Sequence, residues 1–413
     1  MVSQLNKTNP DDQKIDTDSR TLVQTMMKKK TKAIIIITVV LCMIICFAVF
    51  AGKGVPGAGK QVTLNVSLYK SLPEYDSFKR TVEECWKEKH PEVRLNFVDW
   101  DCYSETVPDD LDVFVLDAVN LDAFAQKGYL LELPEEEIQD HDDLIPSFME
   151  GCRVNEAVYV IPQMLCTDLL YTRKDDDSLR NVHNINDLHD ALGSTGLLLD
   201  KEDPGLQITM YLQALVDGTQ HYTDHYPPVE EGMLSSEAVA SLELIRDMHQ
   251  TEAGEVPEDS SWYYYARRFA EGMGKAYIGF SEAMSVMGES VSDMDVRPFS
   301  MTDDSDIPVF YVDAAAVNSK ISDEKKALAF DFLNMITGKD VMIKVLANGG
   351  NPRYLFAARY SIYDALASDY PVYAELKKAA TVPDAHVFRI KPDGEAYMNE
   401  SQENKDLLPP LSE

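Results

Sequence analysis

Pro162-Gln163-Met164-Leu165-Cys166-Thr167-Asp168-Leu169-Leu170 places a lone thiol inside an apolar stretch. Strand-like Val158-Tyr159-Val160-Ile161-Pro162 leads into it and Leu169-Leu170-Tyr171 leads out. Apolar runs of this length bounded by a polar break read as buried strands. The stretch is therefore expected where an α/β chain passes from one lobe to another, so that its cysteine faces a closable cleft.

Working outward from that crossing, Val62, Leu64, Val66 and Leu68 alternate with polar neighbours as a strand does. Residues 75–89 then carry Phe78, Val82, Cys85 and Trp86 on one helical face. Residues 93–98 form a second strand, and 111–116, almost wholly apolar, a third and central one. A short helix is expected at 121–126 and an acidic surface run at 135–143. Beyond the crossing, helices are predicted over 208–215, 236–250 and 324–336, with strands over 275–280 and 309–317.

Strand, helix, strand in that order predicts a mainly parallel sheet whose strand carboxyl ends carry the ligand-facing loops. The fold class is α/β with two lobes around a cleft. Lobe A takes residues 61–165 and 316–347, and lobe B takes 166–315 and 348–413. Crossings fall near Cys166, near Tyr311 to Ala316 and near Asn348 to Pro352. Two α/β domains joined once is the alternative.

Asp and Glu outnumber Lys and Arg by 70 to 38, a formal charge of −32. Such a field repels phosphate backbones, which excludes nucleic acid as a partner, and it attracts cations. Residues 1–32 read as a polar tail. Residues 33–51 are apolar apart from Thr38, long enough to span a bilayer, and 52–60 form a Gly- and Pro-rich linker. Lys28, Lys29, Lys30 and Lys32 before the apolar run predict a cytosolic N-terminus, hence a type II signal anchor with the folded part luminal or extracellular. A signal peptide cleaved after Val49-Phe50-Ala51, giving a secreted protein, is the competing reading. Asn65-Val66-Ser67 and Asn399-Glu400-Ser401 are glycosylation sequons that an exported chain can use.

Cys42 and Cys46 lie in the apolar run, and Cys85, Cys102, Cys152 and Cys166 beyond it. No pair has zinc-ligand spacing, so no metal is expected, while Cys85, Cys102 and Cys152 can supply one disulfide of unassigned pairing. Phosphate-loop, His-Glu-x-x-His and Gly-x-Ser-x-Gly patterns are all missing, and no histidine neighbours Cys166. A thiol enzyme built on Cys166 would then take a carboxylate as its base. Tyr277-Ile278-Gly279-Phe280-Ser281-Glu282-Ala283-Met284 offers one in Glu282, although Ser281 can equally cap a helix there. Asp117 and Asp313 each end or interrupt an apolar run, where they either face a cleft or cap the next turn. Tyr69, Tyr103, Tyr263 and Tyr311 fall in or beside loops, as rim or packing residues. Cys166 itself suits either a buried packing site or a nucleophile.

Taken together, residues 61–390 resemble the bacterial thiaminase I (thiamine pyridinylase) family. The resemblance rests on Val62-Thr63-Leu64 through Leu68-Tyr69, Asp99-Trp100-Asp101, the run from Pro108 to Asp117, Pro162-Gln163 through Cys166-Thr167, Ile278-Gly279 with Ser281-Glu282, Phe310-Tyr311 with Asp313, and Tyr354-Leu355 with Ala358-Arg359. It implies a type II periplasmic binding-protein fold, Cys166 as nucleophile and Glu282 as its base. Thiamine is then the substrate: the thiolate adds to its pyrimidine, the thiazole leaves, and a small amine or thiol displaces the enzyme. Asp117 and Asp313 would hold the aminopyrimidine or the cationic ring, and Tyr69, Tyr103, Tyr263 and Tyr311 would line the cleft. No cofactor is implied, and a monomer is expected. Phe280 stands where family members can carry tyrosine, and the N-terminal tail with its apolar run departs from short bacterial signals. A non-catalytic binder of thiamine or another cationic metabolite is the alternative, followed by a membrane-tethered protein with a dead cleft.

Overall fold

A computed structural model describes residues 62–411 except 105, 201–204, 220–224, 250–262, 303–307 and 384. The tail, apolar run and linker predicted over residues 1–60 lie outside the described residues. Among those described, no helix is long and apolar enough to cross a membrane.

Thirteen strands are described in chain order: β1 Thr63–Ser67, β2 Arg94–Phe97, β3 Val113–Asp117, β4 Arg153–Val154, β5 Ala157–Val158, β6 Val160–Cys166, β7 Asp168–Arg173, β8 Leu197–Leu199, β9 Ala276–Phe280, β10 Met294–Pro298, β11 Val309–Val317, β12 Phe356–Ala357 and β13 His386–Val387. One sheet has the order β12-β6-β11-β3-β1-β2, with β13 added beside β11. A second has the order β10-β7-β9-β8. The chain passes from the first sheet to the second through Thr167 alone, between β6 and β7, and is back in the first at β11. Around Asn348 to Pro352, where a crossing is expected, the chain leads to β12, which still pairs with β6.

The sheet is mixed rather than mainly parallel. β1 pairs in parallel with β2 and β3, as the strand-helix-strand pattern requires, but β11 runs antiparallel to both β3 and β6. The carboxyl ends of β1, β3 and β6 and the amino end of β11 all meet at one edge, so residues distant in sequence converge there.

The helix Tyr75–Lys89 buries Phe78, Val82 and Trp86, spaced four apart, and Trp86 meets Phe332 edge-on at 5.4 Å. Burying three such side chains contributes roughly 1.5–3 kcal/mol apiece. The helix Asp323–Ile336 presents Ala329, Phe332, Leu333 and Ile336 to the same core. A second core lies behind the other sheet, where Ile208, Tyr211 and Leu212 of the helix Leu206–Thr219 join Leu242 and Ile245 of the helix Ser236–Met248. Cys85, Cys102, Cys152 and Cys166 are all free thiols, so no disulfide joins the first three. The Asn65 sequon lies within β1, its side chain bonded to the Asp110 carbonyl at 2.7 Å and to Asn96 at 2.9 Å, whereas Asn399 is exposed on the helix Gly394–Glu403.

Candidate active site

Cys166 is the last residue of β6, directly opposite Tyr311 of β11. The next residue, Thr167, is buried and donates its hydroxyl to the Val309 carbonyl at 2.8 Å, which pins the crossing to β11. Asp168 then opens β7 opposite Phe280, the last residue of β9. Gly279 precedes it, and a Cβ there would lie 2.1 Å from the Tyr277 hydroxyl. Glycine is needed at that point for the backbone to come so near a tyrosine on its own strand.

Past Phe280 the chain makes a 3-10 turn over Ser281–Val286 that carries Glu282. Ser281 does not cap this turn with its side chain; its hydroxyl instead donates to Glu282 Oε2 at 3.3 Å. The other carboxylate oxygen, Oε1, accepts from the Tyr263 hydroxyl at 3.0 Å. Glu282 is only 8% exposed, and burial raises its pKa against the lowering effect of these hydrogen bonds. A carboxyl so placed is a stronger base than one in water.

Burial also pushes the Cys166 thiol well above its ordinary range, and the next largest cause is the Glu282 charge, followed by Asp313, Asp168 and Asp117. Sulfur and carboxylate therefore lie within electrostatic reach of each other, and burial disfavours the thiolate. Since the thiolate is the attacking species, a base must take the proton. Cys166 as a residue is half-buried.

Further residues lie on or next to the same sheet as Cys166. Asp117 closes β3 directly across from Asp313 of β11. One oxygen of Asp117 accepts from the Val119 amide at 2.9 Å and the other from the Tyr103 hydroxyl at 3.0 Å. Tyr69, which follows β1, lies beside Tyr103. Burial, then the Asp117 and Glu282 charges, pushes the Asp313 carboxyl well above the usual carboxylate range. Burial raises Asp117 as well. Two carboxyl groups facing each other across adjacent strands titrate as a pair rather than singly. Tyr311, across from Cys166 on β11, has its ring 5.6 Å from Phe280 and 4.9 Å from Phe388.

All eight residues singled out in the sequence thus fall in one region, six of them on or beside the first sheet and Tyr263 and Glu282 on the second. Asp168, Tyr171 and Phe388 were missed. The Asp168 charge helps raise the Cys166 thiol, Tyr171 lies within electrostatic reach of Cys166, and Asp168 carried a visible signal in being two residues from the thiol. Phe388 had none, because it arrives only through the pairing of β13 with β11. Among the described residues, no group of three or more His, Cys, Asp or Glu side chains is arranged to hold a metal ion.

Comparison with known proteins gives a consistent result. Residues 167–302 match the family model described as the Thiaminase-1 domain. Thiaminase-1 of Paenibacillus thiaminolyticus is 35% identical over 392 residues, covering 91% of this chain and 94% of that protein. The structure of Clostridium botulinum thiaminase I in complex with thiamin superposes with a TM-score of 0.78 at 40% identity, covering 83% of this chain and 98% of that one. An ABC transporter solute binding protein from Thermotoga lettingae, bound with α-D-tagatose, superposes with a TM-score of 0.61 at 16% identity, covering 83% and 92%. That last likeness concerns the fold, a two-lobed arrangement of the type II periplasmic binding-protein kind.

Proposed function

This chain belongs to the thiaminase I family, and we propose that it is a thiamine-degrading transferase in which Cys166 attacks the pyrimidine and Glu282 manages the protons. The observation that carries the proposal is the meeting of these two residues at the sheet crossing, within electrostatic reach of each other.

Chemistry follows from the charges. Glu282 takes the Cys166 proton as sulfur bonds to the pyrimidine ring beside the carbon that bears the bridging methylene. The bond from methylene to thiazolium nitrogen then breaks, its electron pair passing to nitrogen and leaving a neutral thiazole. An amine or thiol adds to the exposed methylene carbon as the carbon-sulfur bond breaks and its electron pair returns to sulfur. Cys166 regains the proton that Glu282 held, and the nucleophile's proton passes to the freed carboxylate and on to solvent. Protein charge favours the first step only once substrate is present. In the free site burial and, after it, the surrounding carboxylates oppose ionisation of the thiol, and a bound thiazolium offsets the carboxylates. Asp117 and Asp313 supply that anionic wall, with hydrogen-bonding atoms for an aminopyrimidine. Tyr69, Tyr103, Tyr263 and Tyr311 offer ring faces and hydroxyls around it.

The test is turnover of thiamine with aniline or pyridine by the purified protein. Cys166→Ser is expected to abolish turnover while thiamine still binds, and Glu282→Gln to lower kcat by about 10²- to 10⁴-fold. Because the base must be ionised and burial raises its pKa, activity should rise with pH through a value above that of an ordinary glutamate. A stable, stoichiometric complex with intact thiamine would instead support a carrier. Full activity of Cys166→Ser would remove the nucleophile assigned here.

A further inference from the structure

We infer that Asp200 is a positioning residue for the catalytic base, acting through Tyr263. Asp200 follows β8 and spends its two carboxylate oxygens on two different elements. Oδ1 accepts from the Tyr265 amide at 2.7 Å, in the first turn of the helix Tyr264–Ala270, and Oδ2 accepts from the Tyr277 hydroxyl at 2.8 Å, on β9. These are the two segments that deliver Tyr263 and Glu282. Tyr263 immediately precedes the helix and β9 runs directly into the turn that carries Glu282.

The backbone shows why a clamp is needed. Tyr263 adopts φ 63 and ψ 42, a left-handed conformation that a tyrosine holds only when its surroundings impose it. In that conformation its hydroxyl reaches Glu282 Oε1 at 3.0 Å. No side chain of Tyr263 caps the helix; Asp200, from another strand, satisfies an amide of its first turn instead. On the strand side, Tyr277 stands directly opposite Tyr171 of β7, with ring centroids 5.2 Å apart, and Tyr171 donates to the Phe280 carbonyl at 2.8 Å. Gly279 keeps the Tyr277 hydroxyl in place by lacking a side chain. One carboxylate thereby fixes the spacing between the helix start and the end of β9, and so between donor and base.

The inference rests on the role proposed for Glu282 and is tested through what Tyr263 does to that base. Glu282 faces Tyr263, Ser281, Tyr171, Cys166 and Asp313. Tyr263 is the neutral donor that favours the ionised carboxylate. Loosening it moves the acid limb of kcat/KM to higher pH. In the full-length protein, Asp200→Ala is expected to lower kcat/KM by roughly 10- to 100-fold and to move that limb upward as far as Tyr263→Phe does. The double variant should be no worse than the poorer single one, and Asp200→Asn, which keeps an oxygen for the Tyr265 amide, should restore most of the loss. An acid limb unmoved in Asp200→Ala, or losses that multiply in the double variant, would overturn the role. Should Asp200→Ala not fold, Asp200→Asn and Tyr277→Phe carry the test: a limb shifted in Tyr277→Phe supports the clamp, and limbs unmoved in both oppose it. Iodoacetamide labelling of Cys166 across pH separates this inference from the proposed activity. Matching displaced profiles for Asp200→Ala and Tyr263→Phe uphold the clamp even if thiamine is not consumed, and profiles identical to the parent's reject it.

Discussion

Asp313 shows at the scale of one residue how this site trades stability for chemistry. Its carboxyl is buried opposite Asp117 and its pKa is raised. Such a group binds its proton more tightly folded than unfolded. Its stabilising contribution is complete below the unfolded value near 3.8 and is lost as pH rises through the folded value. Asp313→Asn removes that loss. Thermal denaturation from about pH 4 to pH 8 should show its advantage over the parent growing with pH, while thiamine turnover falls. A melting temperature that drops at the higher pH would show that Asp313 is held by contacts worth more than its charge costs. Sequence made the polarity of Asp117 and Asp313 visible against apolar runs, but left each free to be a cap. Asp117 is in fact both: one oxygen accepts from the Val119 amide while the other faces the Tyr103 hydroxyl. Glu282 was equally ambiguous, an acid that could simply begin a helix capped by Ser281, and its hydrogen bond from Tyr263 comes from another segment that no local pattern connects to it.

Elements were more legible than contacts. The strand at 309–317 and the helix at 121–126 have the bounds their patterns indicate, and the first helix spans Tyr75–Lys89 as read. Local periodicity suffices for such pieces because each buries one face. Direction was not legible, since an antiparallel β11 and a parallel one have the same apolar run. Long-range polar pairings were equally hidden. Arg389 and Asp122 form an ion pair that is almost wholly buried, with Nη2 2.5 Å from Oδ2, and Arg389 also donates to the Gly151 carbonyl at 2.7 Å at the end of the helix Pro146–Gly151. Arg389→Met strands the Asp122 charge and takes their donor from the Gly151 carbonyl and from the Arg153 carbonyl, which Arg389 also reaches at 2.6 Å. It should cost about 3–5 kcal/mol in urea denaturation, and the double change with Asp122→Leu should recover much of it. Additive losses would mean that Arg389 serves the carbonyls alone.

For the molecule as a whole, the balance of 70 acids to 38 bases bears on encounter with a cation. A negative field raises the local concentration of a positively charged substrate and fades as salt screens it. The kcat/KM for thiamine should therefore fall between low and high ionic strength, with kcat far less affected. Salt independence would confine the electrostatics to the site itself.

The single-residue passage at Thr167 has one more effect. A lever travels least at its fulcrum, and Cys166 and Glu282 both sit beside that point, the one a residue before it and the other just past the β9 end that faces Asp168. Swinging one sheet against the other would carry Tyr69 and Tyr103 through a wide arc yet leave sulfur and carboxylate nearly in register. A swing about Thr167 would therefore change the grip on a ligand without parting sulfur from carboxylate.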